Sequence, residues 1–253
     1  MSHAISTRRG GQSVEPYTSL NMGFGTADAE DHVAANRSAF IEAMGVPADE
    51  MTTAWLTHGT DVAVFRADRR TDWRLDVRPV RSGSVREDRI FDADAVISDV
   101  PGLHFMLMFA DCVPLVFVDR RQGVVGAAHA GWRGTAAGIG PAVIRAMHMH
   151  FGSHPEDIQA GIGPSIGSCC YTVGPDVLRA FTASGNNPVV SHREGQTRLD
   201  LWRSNETQLC RSGVSPASIE TAGICTSCRV DRYYSHRAEA GLTGRFAMCV
   251  GLR

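Results

Sequence analysis

The sequence predicts an α/β (α+β) fold in which a layered mixed sheet is flanked by helices. Short apolar, β-branched segments alternate along the chain with segments whose apolar residues recur at helical spacing. No internal repeat, low-complexity tract or convincing interdomain linker interrupts this alternation. We therefore expect one domain spanning residues 1–253, with its helices packed on the sheet.

The predicted elements follow from hydrophobic periodicity. Segments that are apolar over a few residues are typical of strands, and they occupy residues 62–65, 95–97, 103–109, 113–118, 124–128, 158–162, 219–224 and 246–252. Segments with helical spacing occupy residues 31–44, 135–151, 175–183 and 201–211. The charge-rich segment 66–89 contains eight arginines and five acidic residues, and it predicts an exposed excursion; the alternative is a flap that brings arginine to an anionic substrate.

Composition excludes several functional classes. The formal net charge is only -2, so we expect no nucleic-acid or membrane partner, whereas small neutral or anionic ligands remain open. The first residues lack the apolar segment of a signal peptide, and no apolar run is long enough to span a bilayer, so we expect a cytoplasmic protein. All 25 basic residues are arginine, which excludes Schiff-base chemistry and a Walker A loop.

One stretch, FADCVPLVFVDRRQGVVGAAHAGWRG, predicts a functional site. Two apolar strands joined by a turn ending in glycine would form a hairpin in which Pro114 faces His129. Because side chains alternate along a strand, Cys112 would then lie diagonally from His129, close enough to share a metal or a proton. The glycines that follow open a helix beside this pair, and Arg133 adds a guanidinium there. Each residue alone is more typical of a buried core position.

The motifs resemble those of the laccase-domain family. They are, in order, RGGQS, SLNMG, HGTDV, DADAVIS, ADCVPL, HAGWRG, GPSIGSCCYTVG, CTSC, YYSHR and TGR. This family has been described as multicopper polyphenol oxidase and also as purine nucleoside phosphorylase. The resemblance implies a single laccase-type domain with a cysteine-hydrolase-like fold, and it implies a zinc site formed by His58, Cys112 and His129. Spacing alone makes His58 only a weak candidate.

The implied activities are phosphorolysis of adenosine, inosine, guanosine and methylthioadenosine, with deamination of adenosine beside it. The chain departs from the family pattern at Leu56, Phe109 and Ser98, where glutamine, threonine and threonine are usual. These departures leave the ligands intact but indicate a different substrate pocket.

The chemistry of the implied site suggests roles for further residues. Zinc deaminases use a glutamate in an H-x-E motif, which this chain lacks at both His58 and His129, so Asp111 is our candidate for the acid and base. Phosphorolysis requires an anion site, for which Arg133, Arg8 and Arg245 are candidates. Tyr171 could stack on a purine or donate a hydrogen bond to it.

Two other enzyme classes remain as alternatives. Cys112 with His129 as its base could form a metal-free cysteine hydrolase acting on an amide, for example in the editing of cell-wall precursors. A copper-dependent polyphenol oxidase would need many closely spaced histidines, but the sequence has one His-X-His pair, at His148 and His150. The three-ligand site could nevertheless bind copper.

The remaining cysteine pairs have no assigned role. Cys169-Cys170 and the Cys225-x-x-Cys228 motif would form a structural zinc site only if the two pairs converged. We expect instead that they are buried, unliganded thiols.

Overall fold

The computed structural model describes residues 1–67 and 90–253. The helices are α1 (Glu30–Met44), α2 (Trp132–Ala137), α3 (Ile139–Phe151), α4 (Pro175–Ala183) and α5 (Leu201–Arg211). The strands are β1 (Ser2–Ile5), β2 (Met51–Trp55), β3 (Val62–Phe65), β4 (Ile90–Asp92), β5 (Ala95–Ser98), β6 (His104–Phe109), β7 (Val113–Asp119), β8 (Val124–Ala130), β9 (Ile158–Ile162), β10 (Val190–Arg193), β11 (Gln196–Leu199), β12 (Ile219–Thr221) and β13 (Phe246–Gly251).

The strands form two mixed sheets and one separate hairpin. The five-stranded sheet has the order β1-β13-β6-β2-β4, the six-stranded sheet has the order β12-β9-β7-β8-β5-β3, and β10 pairs with β11. Both sheets contain parallel and antiparallel neighbours. The mixed α/β class predicted from the sequence is therefore confirmed.

Alternating side chains sort the strand residues into layers. On β6, Leu107 points into a core shared with Val125 of β8, so the two sheets pack face to face. Met106, one residue earlier, packs instead with Phe40 of α1 on the outer face of the five-stranded sheet. The outer face of the six-stranded sheet is covered by α3 and α5. The resulting order of layers is helix, sheet, sheet, helices.

The predicted segment boundaries agree with the structure in most elements. Strand 62–65, strand 158–162 and helices 175–183 and 201–211 match the observed limits. The prediction of one continuous helix over residues 135–151 is wrong. Gly138 adopts a left-handed φ of 83°, which ends α2 and separates it from α3. Five strands, β1, β2, β4, β10 and β11, were not predicted, because polar residues interrupt or flank their few apolar residues.

The predicted hairpin has the predicted register. Asp119 pairs with Val124, and Pro114 pairs with His129 across β7 and β8. The excursion predicted for residues 66–89 lies outside the described residues from residue 68 onward. In the two described ranges, no helix combines the length and the apolarity needed to cross a lipid bilayer.

Candidate metal centre and active site

Three side chains predicted to act together meet at one end of the six-stranded sheet. His58 lies in the loop between β2 and β3, Cys112 directly precedes β7, and His129 lies near the end of β8. One ligand atom from each residue lies within 4.8 Å of the others. His129 is buried, Cys112 is half-buried and His58 is exposed, so the cluster opens to solvent on the His58 side. Imidazole nitrogen and thiolate sulfur are both donors that zinc binds.

The buried carboxylate of Asp94 holds this cluster together. Its Oδ1 atom lies 3.1 Å from Nδ1 of His129 and accepts a hydrogen bond of 2.9 Å from the backbone N–H of His58. Its Oδ2 atom accepts bonds of 2.6 Å from the Thr57 hydroxyl and the Gly59 N–H. Burial raises the pKa of Asp94, but the hydrogen bonds from His129, Thr57 and Gly59 outweigh burial and keep the pKa well below its usual value. The carboxylate is therefore ionised and fixes the positions of His58 and His129.

Unusual backbone conformations place the ligands. His58 has a φ of 62°, and Asp111, which precedes Cys112, has a φ of 85°. Side chains other than glycine rarely adopt this left-handed region, and residues that do are concentrated at functional sites. Gly131 leaves room for the cluster, because a Cβ at this position would lie 3.0 Å from Sγ of Cys112. The loops around the cluster are thus shaped for close approach.

The thiol and the imidazoles polarise one another. Burial raises the pKa of Cys112, but the neighbouring His129 and His58 outweigh burial and lower the pKa to about 6. Burial lowers the pKa of His129, but Cys112 and Asp94 outweigh burial and raise the pKa to about 9. Without a bound ion, the cluster therefore contains a thiolate beside an imidazolium at neutral pH.

A cavity of about 580 Å³ opens over the cluster. This volume lies within the range of small-molecule sites. Aromatic side chains on several walls include Phe24, Trp55, Trp132 and Tyr171. Trp55 is 56% exposed although it is large and apolar, which places an aromatic surface at the mouth of the cavity.

Basic side chains line the same cavity. Arg133 and Arg245, both predicted to bind phosphate, line it, and so do Arg37 and Arg237. Arg133 is exposed and stacks on the ring of Trp132 at 4.3 Å, whereas Arg245 donates to the carbonyls of Thr243 and Gly244.

The structure does not bring Arg8 to the cavity. Among the described residues, Arg8 is absent from the lining. Its guanidinium forms an ion pair of 2.9 Å with Glu239, donates to the carbonyls of Thr18 and Val230, and lies 4.5 Å from the ring centroid of Tyr234. These contacts tie the N-terminal segment to the C-terminal loops.

Tyr171 and Asp111 both lie in the cavity wall. Burial, with a smaller contribution from Cys112, raises the pKa of Tyr171 to about 12, so its hydroxyl stays protonated and can donate. The carboxylate of Asp111 accepts a hydrogen bond of 2.7 Å from the Thr226 hydroxyl and one of 2.6 Å from the backbone N–H of Arg237. Asp111 therefore fixes two loops as well as facing the cavity.

Comparison with known proteins assigns the family. A family model described as multi-copper polyphenol oxidoreductase laccase matches residues 2–253. The chain belongs to this laccase-domain family. It is 35% identical over 253 residues to the purine nucleoside phosphorylase YlmD of Geobacillus stearothermophilus, covering 98% of this chain and 89% of that protein. It is 37% identical over 250 residues to a purine nucleoside phosphorylase of Deinococcus radiodurans, covering 99% and 88%.

Solved structures of laccase-domain proteins have the same fold. The hypothetical protein YfiH of Bacillus licheniformis superposes with a TM-score of 0.87 at 36% identity, covering 99% of this chain and 92% of that one. The YlmD structure from Geobacillus stearothermophilus gives a TM-score of 0.86 at 33% identity, with coverage of 99% and 91%.

The three departures from the laccase-domain pattern occupy different places. Leu56 lines the cavity, and Phe109 lies in the core with its ring centroid 5.5 Å from that of His129. Ser98 is buried in β5 and accepts a hydrogen bond of 3.0 Å from the Val100 N–H. Leu56 is thus the departure that borders the cavity over the cluster of His58, Cys112 and His129.

Sequence reasoning missed several residues of the site. Asp94 was available in the DADAVIS motif, since a metal-ligating histidine usually donates its second ring nitrogen to a carboxylate. Trp55 and Arg237 had no signal of their own, because only the fold brings their loops together. The His148 and His150 pair lies at the end of α3, and neither residue belongs to a described cluster of three or more metal ligands.

Proposed function

We propose that this protein is a zinc-dependent purine nucleoside phosphorylase that accepts adenosine, inosine, guanosine and methylthioadenosine, and that also deaminates adenosine. One observation carries the proposal: a cavity of about 580 Å³ combines a His-Cys-His cluster, aromatic walls and four arginines. Aromatic walls suit a nucleoside and arginines suit an anion, and the two relatives described above are named purine nucleoside phosphorylases.

The metal would be held by His58, Cys112 and His129. Three protein ligands with an open position are typical of catalytic zinc, and the donor atoms already lie within 4.8 Å of one another. When bound, the ion supplies a Lewis acid at the floor of the cavity. Asp94 orients His129 through Nδ1, which leaves Nε2 of His129 available as the ligand atom.

Arginines would hold the phosphate beside the ribose. Arg133 is exposed and carries no ion pair among the described contacts, so its guanidinium is available for an anion. Arg237 stacks on the ring of Tyr171 at 4.9 Å and donates through Nη1 to the carbonyl of Thr172, which leaves other donors free. Burial lowers the pKa of Arg245, so an anionic ligand would relieve the cost of its buried charge.

The purine would lie between aromatic side chains. Trp55 offers an exposed ring at the mouth, and Tyr171 offers a protonated hydroxyl that can donate to a ring nitrogen or an oxygen of the base. Asp111 remains our candidate for the acid and base, because each of its oxygens keeps a second lone pair beyond the bonds from Thr226 and Arg237.

The test is an assay of inosine with and without inorganic phosphate, combined with metal analysis. We expect phosphate-dependent formation of hypoxanthine and ribose 1-phosphate, and inosine formation from adenosine. Cys112→Ala should lose one equivalent of zinc per chain together with both activities. Cys210→Ala removes a thiol on α5, away from the cavity lining, and should retain them. Retention of phosphorolysis and full metal content by Cys112→Ala would overturn the proposal.

A cysteine hydrolase is the second candidate, and the lowered pKa of Cys112 favours it. A thiolate beside an imidazolium is the resting state of cysteine nucleophiles. Chelation and alkylation distinguish the two functions. Amide hydrolysis by Cys112 would survive chelation and be lost on alkylation. Zinc-dependent phosphorolysis would be lost on chelation and restored by added zinc.

A further inference from the structure

Four cysteines outside the proposed active site converge in space. Cys169 and Cys170 lie in the loop after β9, and Cys225 and Cys228 lie in the loop after β12. All four Sγ atoms lie within 4.8 Å of one another. The sequence favoured unliganded thiols because convergence of the two pairs could not be read from it. The structure meets that condition.

The separations of the sulfur atoms match a tetrahedral metal site. Sγ of Cys228 lies 3.6 Å from Sγ of Cys169 and 3.4 Å from Sγ of Cys170. A disulfide requires about 2.05 Å, and all four thiols are free. Zinc–sulfur bonds of about 2.3 Å place the sulfurs of a tetrahedron roughly 3.8 Å apart. We propose that Cys169, Cys170, Cys225 and Cys228 form a second metal site, a tetrathiolate that binds zinc.

The surrounding backbone is arranged for metal thiolates. The Gly167 N–H points at Sγ of Cys225 at 3.2 Å, a contact that stabilises negative charge on sulfur. A Cβ at Gly167 would lie 3.2 Å from Sγ of Cys169 and 3.3 Å from Cβ of Cys225, so a side chain would crowd both halves of the cluster. Ser165 also forms a parallel bridge with Cys225, which aligns the two loops. The loops are joined before any ion binds.

Access and charge also suit a cation. Cys169 and Cys228 are exposed whereas Cys225 is buried, so an ion can enter from solvent and reach a fixed ligand. Four thiolates and one divalent cation leave a net negative charge. Arg198 brings a guanidinium to the same loop by donating to the carbonyl of Cys169. Within the described part of the chain, the buried Nε of Arg198 has no hydrogen-bond partner, so a donor remains for this charge.

The proposed tetrathiolate clamps one wall of the cavity. Tyr171 follows Cys170 directly and lines the cavity, and Thr226, between Cys225 and Cys228, binds the carboxylate of Asp111. A metal here would therefore fix the loops that carry these contacts. Its role is structural, and it stands independently of purine phosphorolysis.

Cobalt titration of the reduced, metal-free Cys112→Ala protein under anaerobic conditions tests the site. In this background His58 and His129 carry no thiolate partner, so a thiolate-to-cobalt charge-transfer band reports on the four cysteines alone. We expect one equivalent of cobalt per chain, with tetrahedral ligand-field bands. Displacement by zinc should release the cobalt and abolish both sets of bands.

Two variants and a thiol count complete the test. Adding Cys169→Ser and Cys228→Ser should abolish the charge-transfer band, whereas adding Cys210→Ser should leave it unchanged. In the wild-type protein, zinc should protect four more thiols from a disulfide reagent than the Cys112 site alone accounts for. This count does not depend on the folding of any variant.

Absence of the band in the Cys112→Ala protein overturns the site. A reduced protein that takes up no cobalt but forms a Cys170–Cys228 disulfide in air also overturns it, because the cluster would then be a redox pair.

Discussion

Oδ1 of Asp94 lies 3.1 Å from Nδ1 of His129, and the same carboxylate accepts the backbone N–H of His58. One buried anion thus positions two ligands that are far apart in sequence. It also sets the tautomer in which Nε2 of His129 is free to bind a metal. Asp94 belongs to neither ligand segment, yet the geometry of both depends on it.

Asp94→Asn should weaken zinc binding at the His58 cluster by about 10- to 100-fold, because an amide cannot hold His129 as a carboxylate does. The amide nitrogen would also face backbone donors now satisfied by Oδ2, including the Gly59 N–H. Competition with a chromophoric chelator measures the affinity. Asp99→Asn is the matched control, since Asp99 accepts the Ala67 N–H away from the cluster. Equal affinities in the two variants would contradict this role.

Alkylation of Cys112 in the metal-free protein should have an unusual pH dependence. The thiolate is the reactive form, and the pKa of about 6 means that the rate should reach its plateau near neutral pH and fall tenfold per unit below 6. An ordinary thiol titrates near 8.5. His129→Ala should move the midpoint upward, because burial raises the pKa of Cys112 and the opposing effect of the His129 imidazole would be lost. Iodoacetamide kinetics followed by peptide mass spectrometry measure the pH midpoint of Cys112 alkylation. A midpoint above 8 in the wild-type protein would contradict the lowered pKa.

The site shows which features local patterns could predict. The register of β7 and β8 followed from the turn and the alternation of side chains, so Cys112 and His129 were placed together correctly. His58 came from resemblance, because its loop joins strands of different sheets and no periodicity links it to the hairpin. Both Arg133 and Arg8 lie near glycines in the sequence, but only Arg133 lines the cavity. This local pattern does not indicate which part of the fold an arginine will contact.

Long-range packing explains what local patterns could not provide. The strands of both sheets have ordinary apolar patterns in the sequence. The cavity forms only when the two sheets stack and bring together loops from opposite ends of the chain. The break at Gly138 is invisible to helical periodicity, because apolar spacing continues across it while φ reverses sign. Convergence of the four cysteines likewise requires β9 and β12 to be neighbours, which their sequences do not specify.

Gly131→Ala should impair the metal site more than the fold. The new Cβ would lie 3.0 Å from Sγ of Cys112, so the thiol must shift by a few tenths of an ångström, whereas the distance of 3.7 Å from this Cβ to Cδ2 of His58 is an ordinary contact. Overpacking of this kind costs about 1–3 kcal/mol, which corresponds to roughly a 5- to 150-fold loss if it falls on metal affinity. Gly161→Ala is the control, because its Cβ would meet only Val116 at 3.9 Å. Zinc titration with thermal melts should separate the two; unchanged zinc affinity in Gly131→Ala would argue against the crowding.

Arg133→Gln should raise the KM for phosphate at least tenfold while leaving the melting temperature within a few degrees. The side chain is exposed and its described contact is stacking on Trp132, so its removal costs little stability. An arginine on phosphate forms charge-assisted, bidentate hydrogen bonds that glutamine cannot replace. Arg145→Gln is the matched control, because Arg145 is exposed on α3 and does not line the cavity. Initial rates at varied phosphate and saturating inosine give the comparison. If Arg133→Gln left the KM for phosphate unchanged while Arg245→Gln raised it, the anion would lie deeper, against the half-buried Arg245.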